Sequence, residues 1–181
     1  MKLFIKILYF FTLCGLLFSA GCKKDKTPSS EWVTINGQIF GCRVNGKPFI
    51  ADKWDYGNNV PPIFVTMLYS PVLRYSYLIA SGDKQNEMVE IYLNPPLVTG
   101  RRNLNFRTRP YPIETVQKDY GLYLIQYPNK EFITNDTLGG YVDILFADTV
   151  TRKIEGRFEF TGTDRNTGEK VTVTNGYFKN F

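Results

Sequence analysis

The sequence predicts an all-β fold, an antiparallel β-sandwich or a partly closed barrel of short strands and hairpins, for three reasons. From Trp32 onward, short runs rich in Val, Ile, Tyr, Phe and Thr alternate apolar with polar residues, the period of a sheet with one buried face. Clusters of Gly, Pro, Asn and Asp separate these runs and supply turn chemistry. No stretch of the domain keeps the period of an amphipathic helix. A chain of 181 residues that is 43% hydrophobic, with 14 Phe and 12 Tyr, has the material for one core.

The first element is an address. Lys2 and Lys6 precede an apolar run from Ile7 to Phe18, and Ser19, Ala20 and Gly21 follow it, immediately before Cys22. This is the charged, apolar and small-residue sequence of a cleaved signal, here residues 1–21. The run is too short for a spanning helix, which needs about 20 apolar residues. Ser19-Ala20-Gly21-Cys22 resembles the relaxed lipobox of bacterial lipoproteins, with Ser19 standing where Leu is preferred. The resemblance makes Cys22 the lipidated N-terminus of the mature chain. Losing Lys2 and Lys6 takes Lys+Arg from 22 to 20 against 17 acids, so the mature charge is +3. That is too small to argue for nucleic acid. Residues 22–31 form a polar tether containing Pro and Ser. Its Lys23-Lys24-Asp25-Lys26 run is similar to export signals of some Bacteroidota lipoproteins, and either face of the outer membrane stays open.

Residues 32–181 then read as one domain. The alternating runs place strands at 33–44, 48–51, 63–70, 74–81, 88–93, 119–127 and 140–147. Turns are expected at Asn45-Gly46 and at Gly82-Asp83. The clearest strand runs from Lys153 to Thr161, with Ile154, Phe158 and Phe160 on one face and Lys153, Glu155, Arg157 and Glu159 on the other. Asp164 to Gly168 turns the chain, Lys170 to Thr174 completes a hairpin, and Asn175-Gly176 makes a bulge that re-aims Tyr177 and Phe178.

Phe40 to Phe49 (FGCRVNGKPF) resembles the opening motif of a family of uncharacterised lipid-anchored envelope proteins of Bacteroidota. Ile154 to Phe160 with Val171 to Phe178 is similar to that family's last hairpin. The resemblance implies an all-β, lipid-anchored domain of unknown function and supplies no catalytic residues.

With no histidine and three cysteines, the chain lacks His-based triads, His-ligated metals and a disulfide framework. No nucleophile with a base, metal cluster or phosphate-cradling loop is present. The carboxylate pairs Asp52/Asp55 and Glu155/Glu159 are the residue types that glycoside hydrolysis uses, but Glu155 and Glu159 lie on a wet strand face. The reading is therefore a non-enzyme without cofactor. Cys42, the one free thiol left after Cys22 is acylated, reads as a small buried hydrophobe.

Binding candidates are more numerous. Trp54, Asp55, Tyr56 and Asn58 put aromatics among polar turn residues, the pairing that stacks on sugar faces and bonds sugar hydroxyls. The structural alternative has Trp54 covering a sheet edge and Asp55 capping a turn. Calcium at Asp52, Asp55, Asn58 and Asn59 fits no standard spacing. Arg101, Arg102, Arg107 and Arg109, with aromatics interleaved, suit an anionic polysaccharide or headgroup, or else form a solvated loop. Tyrosines near the strands, with Tyr75/Tyr77 and Tyr123/Tyr127 as same-face pairs, read either as a glycan platform or as cross-strand packing. Asp136-Thr137-Leu138 and Asp148-Thr149-Val150 resemble a three-residue O-glycosylation signal, which would require Thr137 and Thr149 on the surface. The expectation is a non-catalytic binding or accessory module at the outer membrane, with a glycan as ligand. The alternatives are assembly through envelope protein contacts and a small lipid-carrying barrel.

Overall fold

The computed structural model describes residues 32–54, 61–70, 75–105 and 118–181. Thirteen strands follow in order: β1 (Val33–Ile35), β2 (Gln38–Val44), β3 (Lys47–Phe49), β4 (Lys53–Trp54), β5 (Ile63–Ser70), β6 (Tyr75–Gln85), β7 (Glu87–Leu93), β8 (Gly100–Leu104), β9 (Tyr120–Ile125), β10 (Lys130–Ile133), β11 (Gly140–Asp148), β12 (Lys153–Asp164) and β13 (Lys170–Asn180). No helix occurs among the described residues. All strands join one sheet in the order β1-β2-β13-β12-β10-β9-β7-β6-β4, with β5 on β6, β3 on β2, and β11 and then β8 branching from β12. Every pairing is antiparallel except β4 on β6. The single sheet curls into a nearly closed barrel, which resolves the sandwich-or-barrel alternative.

The remaining seam is bridged at one point by side chains. At the seam where β5 meets β2 and β13, the Val65 N–H donates to Gln38 Oε1 at 2.8 Å. Asn180 Nδ2 donates to the Val65 carbonyl at 2.8 Å. These two bonds satisfy one residue of an edge that would otherwise lack backbone partners.

Phenylalanine fills the interior. Phe40, Phe49, Phe158 and Phe178 are all at most 2% exposed, and each such burial stabilises by about 1.5–3 kcal/mol. Their rings fit because glycines face them. A Cβ at Gly176 would stand 2.5 Å from the Phe158 ring, and one at Gly121 2.7 Å from Phe160. Gly82 faces Phe40 in the same way. This explains a departure from the sequence reading: Gly82-Asp83 is no turn but lies inside β6. The chain reverses at Gln85, whose φ is 49°.

The expected 33–44 strand is two strands, divided by a second Asn-Gly turn with Asn36 at φ 52° and Gly37 at φ 77°. β4, β8 and β10 were not expected: Trp54, read among turn residues, lies in β4, and the arginine segment read as a loop is strand through Leu104. Tyr123 is 5% exposed in the core while Tyr127 is 70% exposed in the following turn, so the two share no face. β12 has the expected alternation. Register breaks opposite Asn175-Gly176 place the bulge where the sequence put it.

Candidate functional site at the β4–β6–β7 margin

The outward faces of β6, β7, β9 and β10 carry a second cluster, made of Met88, Tyr92, Tyr120, Leu122 and Ile133 with Ile79 and Leu124 packed against it. Strand register puts polar groups among these apolar ones: Ser81 lies opposite Glu90, and Asp83 opposite Met88. Asp83 is 2% exposed and Glu90 6%. Two acids so withdrawn from water need partners. Tyr120 Oη donates to Glu90 Oε1 at 2.7 Å, and its ring stacks on Tyr92 with centroids 5.2 Å apart. For Asp83, Oδ1 has no hydrogen-bond partner. Burial first and the charge of Glu90 second push its carboxyl up to about 7, so it can hold a proton at neutral pH.

β4 borders this face. It is the outermost strand of the sheet order and runs parallel to β6, with Trp54 opposite Gln85, two residues beyond Asp83. A tryptophan-bearing strand at a sheet margin is one element of the set that stacks on sugar faces. Asp83 and Glu90 are covered, so they back this margin instead of contacting a ligand directly.

The other expected residues fall in several places. Asp55, Tyr56, Asn58, Asn59, Arg107, Arg109 and Cys22 lie outside the described residues. Asp52 is exposed, and no group of three metal-ligating side chains occurs among the described residues. Arg101 and Arg102 are described, and both are engaged within the fold. Arg101 forks onto Asp143 with both bonds at 2.7 Å and stands 4.0 Å over the Tyr141 ring. Its hydrogen bonds hold the Asp143 carboxyl below the usual range. Arg102 forks onto Asp119 at 2.8 and 2.9 Å. It also donates to the carbonyls of Asn94 and Pro96 at 2.5 and 2.8 Å. It thereby ties β8 to the end of β7 and the start of β9. With their forks already on carboxylates, neither arginine is arranged to grip an external anion.

Cys42 is 1% exposed, and burial raises its thiol pKa, as a structural cysteine requires. Thr137 and Thr149 both sit on exposed turns. A polar cavity of about 150 Å³ lies beside Asn129, Glu131, Asp164, Arg165 and Asn166. The Asp164 carboxylate there is taken up by its own turn, accepting from Asn166 N and Thr167 N at 2.9 and 2.8 Å.

Sequence reasoning passed over Asp83 and Glu90. The signal was present in Met88 to Leu93, where one acid interrupts an apolar run. No family model matches the chain, and neither a curated protein nor a solved structure is similar to it.

Proposed function

We propose that this chain is a lipid-anchored lipoprotein of the outer membrane whose barrel works as a non-catalytic binding or accessory module, with a glycan as ligand at the β4 margin. The observation that carries the ligand is the place of Trp54, in the outermost strand, opposite Gln85 at the turn of the β6–β7 hairpin. The anchor rests on Ser19-Ala20-Gly21-Cys22 behind a short apolar run. The filled interior, with Phe40, Phe158 and Phe178 at 0% exposure, argues against the lipid-carrier reading. Assembly through an edge strand is the second reading. It draws on β8, which pairs only with β11 among the described strands.

The test follows tryptophan emission while the detergent-solubilised mature protein is titrated with neutral and anionic polysaccharides. Trp32 and Trp54 are the two indoles. Trp32 stacks on Tyr177 with ring centroids 4.3 Å apart and gives a steady background. A saturable change with one polysaccharide class that is lost in Trp54→Ala supports the reading. A flat response from the folded protein refutes it and favours a protein partner. Intact mass of the mature protein, showing acylated Cys22 as the first residue, tests the anchor.

A further inference from the structure

The barrel has two unlike ends. Among the described residues, seven large apolar side chains are exposed: Ile50, Val98, Tyr127, Leu145, Phe146, Val150 and Phe181. Five of them gather at one end. Gly100 pairs with Ile144, so Val98 and Leu145 lie just beyond that pair. Asp148 pairs with Lys153 across the turn that carries Val150, and Ile154 pairs with Asn180, which sets Phe181 beside that turn. Opposite, the turns at Asn45-Gly46, Gln85-Asn86 and Arg165–Gly168 are polar, Lys130 bridges Glu169 at 2.6 Å, and Tyr127 in the turn after β9 is the one large apolar side chain exposed there among the described residues.

The apolar end is built, not frayed. The register break between Ile144 and Phe146 leaves Leu145 as the extra residue of a bulge and turns it outward, 45% exposed. Phe146 and Phe181 meet edge to face with centroids 5.8 Å apart, and Lys179 Nζ caps the Phe181 ring at 3.7 Å. Asn180 accepts the Ile154 N–H at 2.7 Å and donates to the Arg152 carbonyl at 3.0 Å, fixing the turn against the end of β13. Val150 tops this turn at 89% exposure. The Asp148 carboxylate accepts Val150 N and Thr151 N at 2.9 and 3.2 Å. A fixed cluster of aromatic and aliphatic side chains left in water marks a contact surface.

We infer that this end of the barrel, carrying Leu145, Phe146, Val150 and Phe181, rests in the interfacial layer of the leaflet that holds the lipid anchor. The inference builds on the proposed acylation of Cys22. Nine residues separate Cys22 from Trp32, a reach of at most about 35 Å over the ten steps. From Trp32, β1 runs to the Asn36-Gly37 turn, where a Cβ on Gly37 would lie 3.5 Å from the Phe181 carbonyl. The anchored chain therefore enters the domain one short strand away from the apolar cluster. Arg152, Lys153 and Lys179 at this end are offset by Asp148 and Glu155 to a net charge of only +1. Apolar insertion beneath the headgroups, and not attraction to anionic lipid, is accordingly the expected mode. So seated, the barrel turns its polar end, with the Trp54–Gln85 margin, away from the membrane.

The test uses the mature lipidated protein in phosphatidylcholine vesicles, with a polarity-sensitive thiol probe at Val150→Cys or, at the opposite end, Asn166→Cys. Both positions are exposed turn residues, and Cys42 is buried. The expected result is a blue-shifted Val150 probe, several-fold less accessible to iodide than the Asn166 probe. Phe146→Ser together with Phe181→Ser should abolish the difference. Protein that floats with the vesicles while both probes are equally quenched overturns the docking and leaves the anchor standing. Protein that does not float, with a wild-type chain that labels at Cys22, overturns the anchor and the docking together. Shielding of Val150 without vesicles that grows with protein concentration assigns the surface to a second copy. A glycan mass on Thr149 also overturns the docking, since it would hold Val150 off the bilayer.

Discussion

The ring of Phe178 occupies the place that a side chain on Gly156 would need: a Cβ there would stand 2.5 Å from the ring's Cζ. The two residues pair across β12 and β13, and Phe178 is fully buried. Gly156→Ala should therefore destabilise the barrel by about 1–3 kcal/mol through overpacking. Phe178→Ala should cost more, about 3–5 kcal/mol, because the ring leaves a cavity that its glycine neighbour cannot fill. Urea unfolding of both variants checks the order. Gly156→Ala as stable as wild type would mean that the ring has room to move.

Asp83 makes stability depend on pH. Its carboxyl is pushed up to about 7 in the folded chain, whereas an unfolded aspartate titrates near ~3.9. Between these values the folded state keeps a proton that the unfolded state has released. Stability from this group is then full below about pH 4, falls as pH rises towards about 7, and is level above that, a loss of up to about 4 kcal/mol. Asp83→Asn should abolish the decline and be more stable than wild type at pH 8, the gap closing towards pH 4. Urea midpoints for the two proteins across this range decide it, and parallel curves would exclude Asp83 as the titrating group.

Much of the barrel was legible because its signals are local. The alternation at Ile154, Phe158 and Phe160 and the turn chemistry at Asn45-Gly46 need only neighbours in sequence. What was not legible depends on distant contacts. Gly82 reads as a turn residue until Phe40, some forty positions earlier, is seen to lie against it. Arg101 and Arg102 read as solvated until β11 and Asp119 bring carboxylates to them. Asp83 and Glu90 fall in the phase of a wet strand face, and only the cluster around Tyr92 and Tyr120 removes them from water. For the candidate site, the sequence singled out Trp54 but not the acids behind its strand.

Two adjacent arginines should behave differently. Arg102 and Asp119 have side chains 19% and 14% exposed, and Asp119 also accepts the Asn94 N–H at 2.8 Å. Removing the guanidinium leaves a largely buried carboxylate and two carbonyls short of a donor, so Arg102→Ala should cost about 3–5 kcal/mol. Arg102→Lys should recover only part of this, since an ammonium cannot reproduce the fork. Arg101, 60% exposed, forms a pair that solvent screens, and Arg101→Ala should leave the unfolding midpoint close to wild type. Thermal melts of the three variants test the contrast, and equal effects at the two positions would contradict the burial argument.

Cys42 supplies a probe of the same core. It pairs with Phe49 across β2 and β3, is 1% exposed, and has its thiol pKa raised by burial. A thiol attacks only as thiolate and only where reagent can reach it. In the acylated mature protein, a disulfide reagent at pH 8 should therefore find no reactive thiol under native conditions and one equivalent in denaturant. The native reaction should be limited at high reagent by how often the barrel opens, so its rate should level off as reagent is raised and should increase in Gly156→Ala by the factor by which that variant unfolds faster. A rate proportional to reagent at all concentrations and unchanged by Gly156→Ala would mean that Cys42 is reached through a local opening near β3, without the barrel core coming apart.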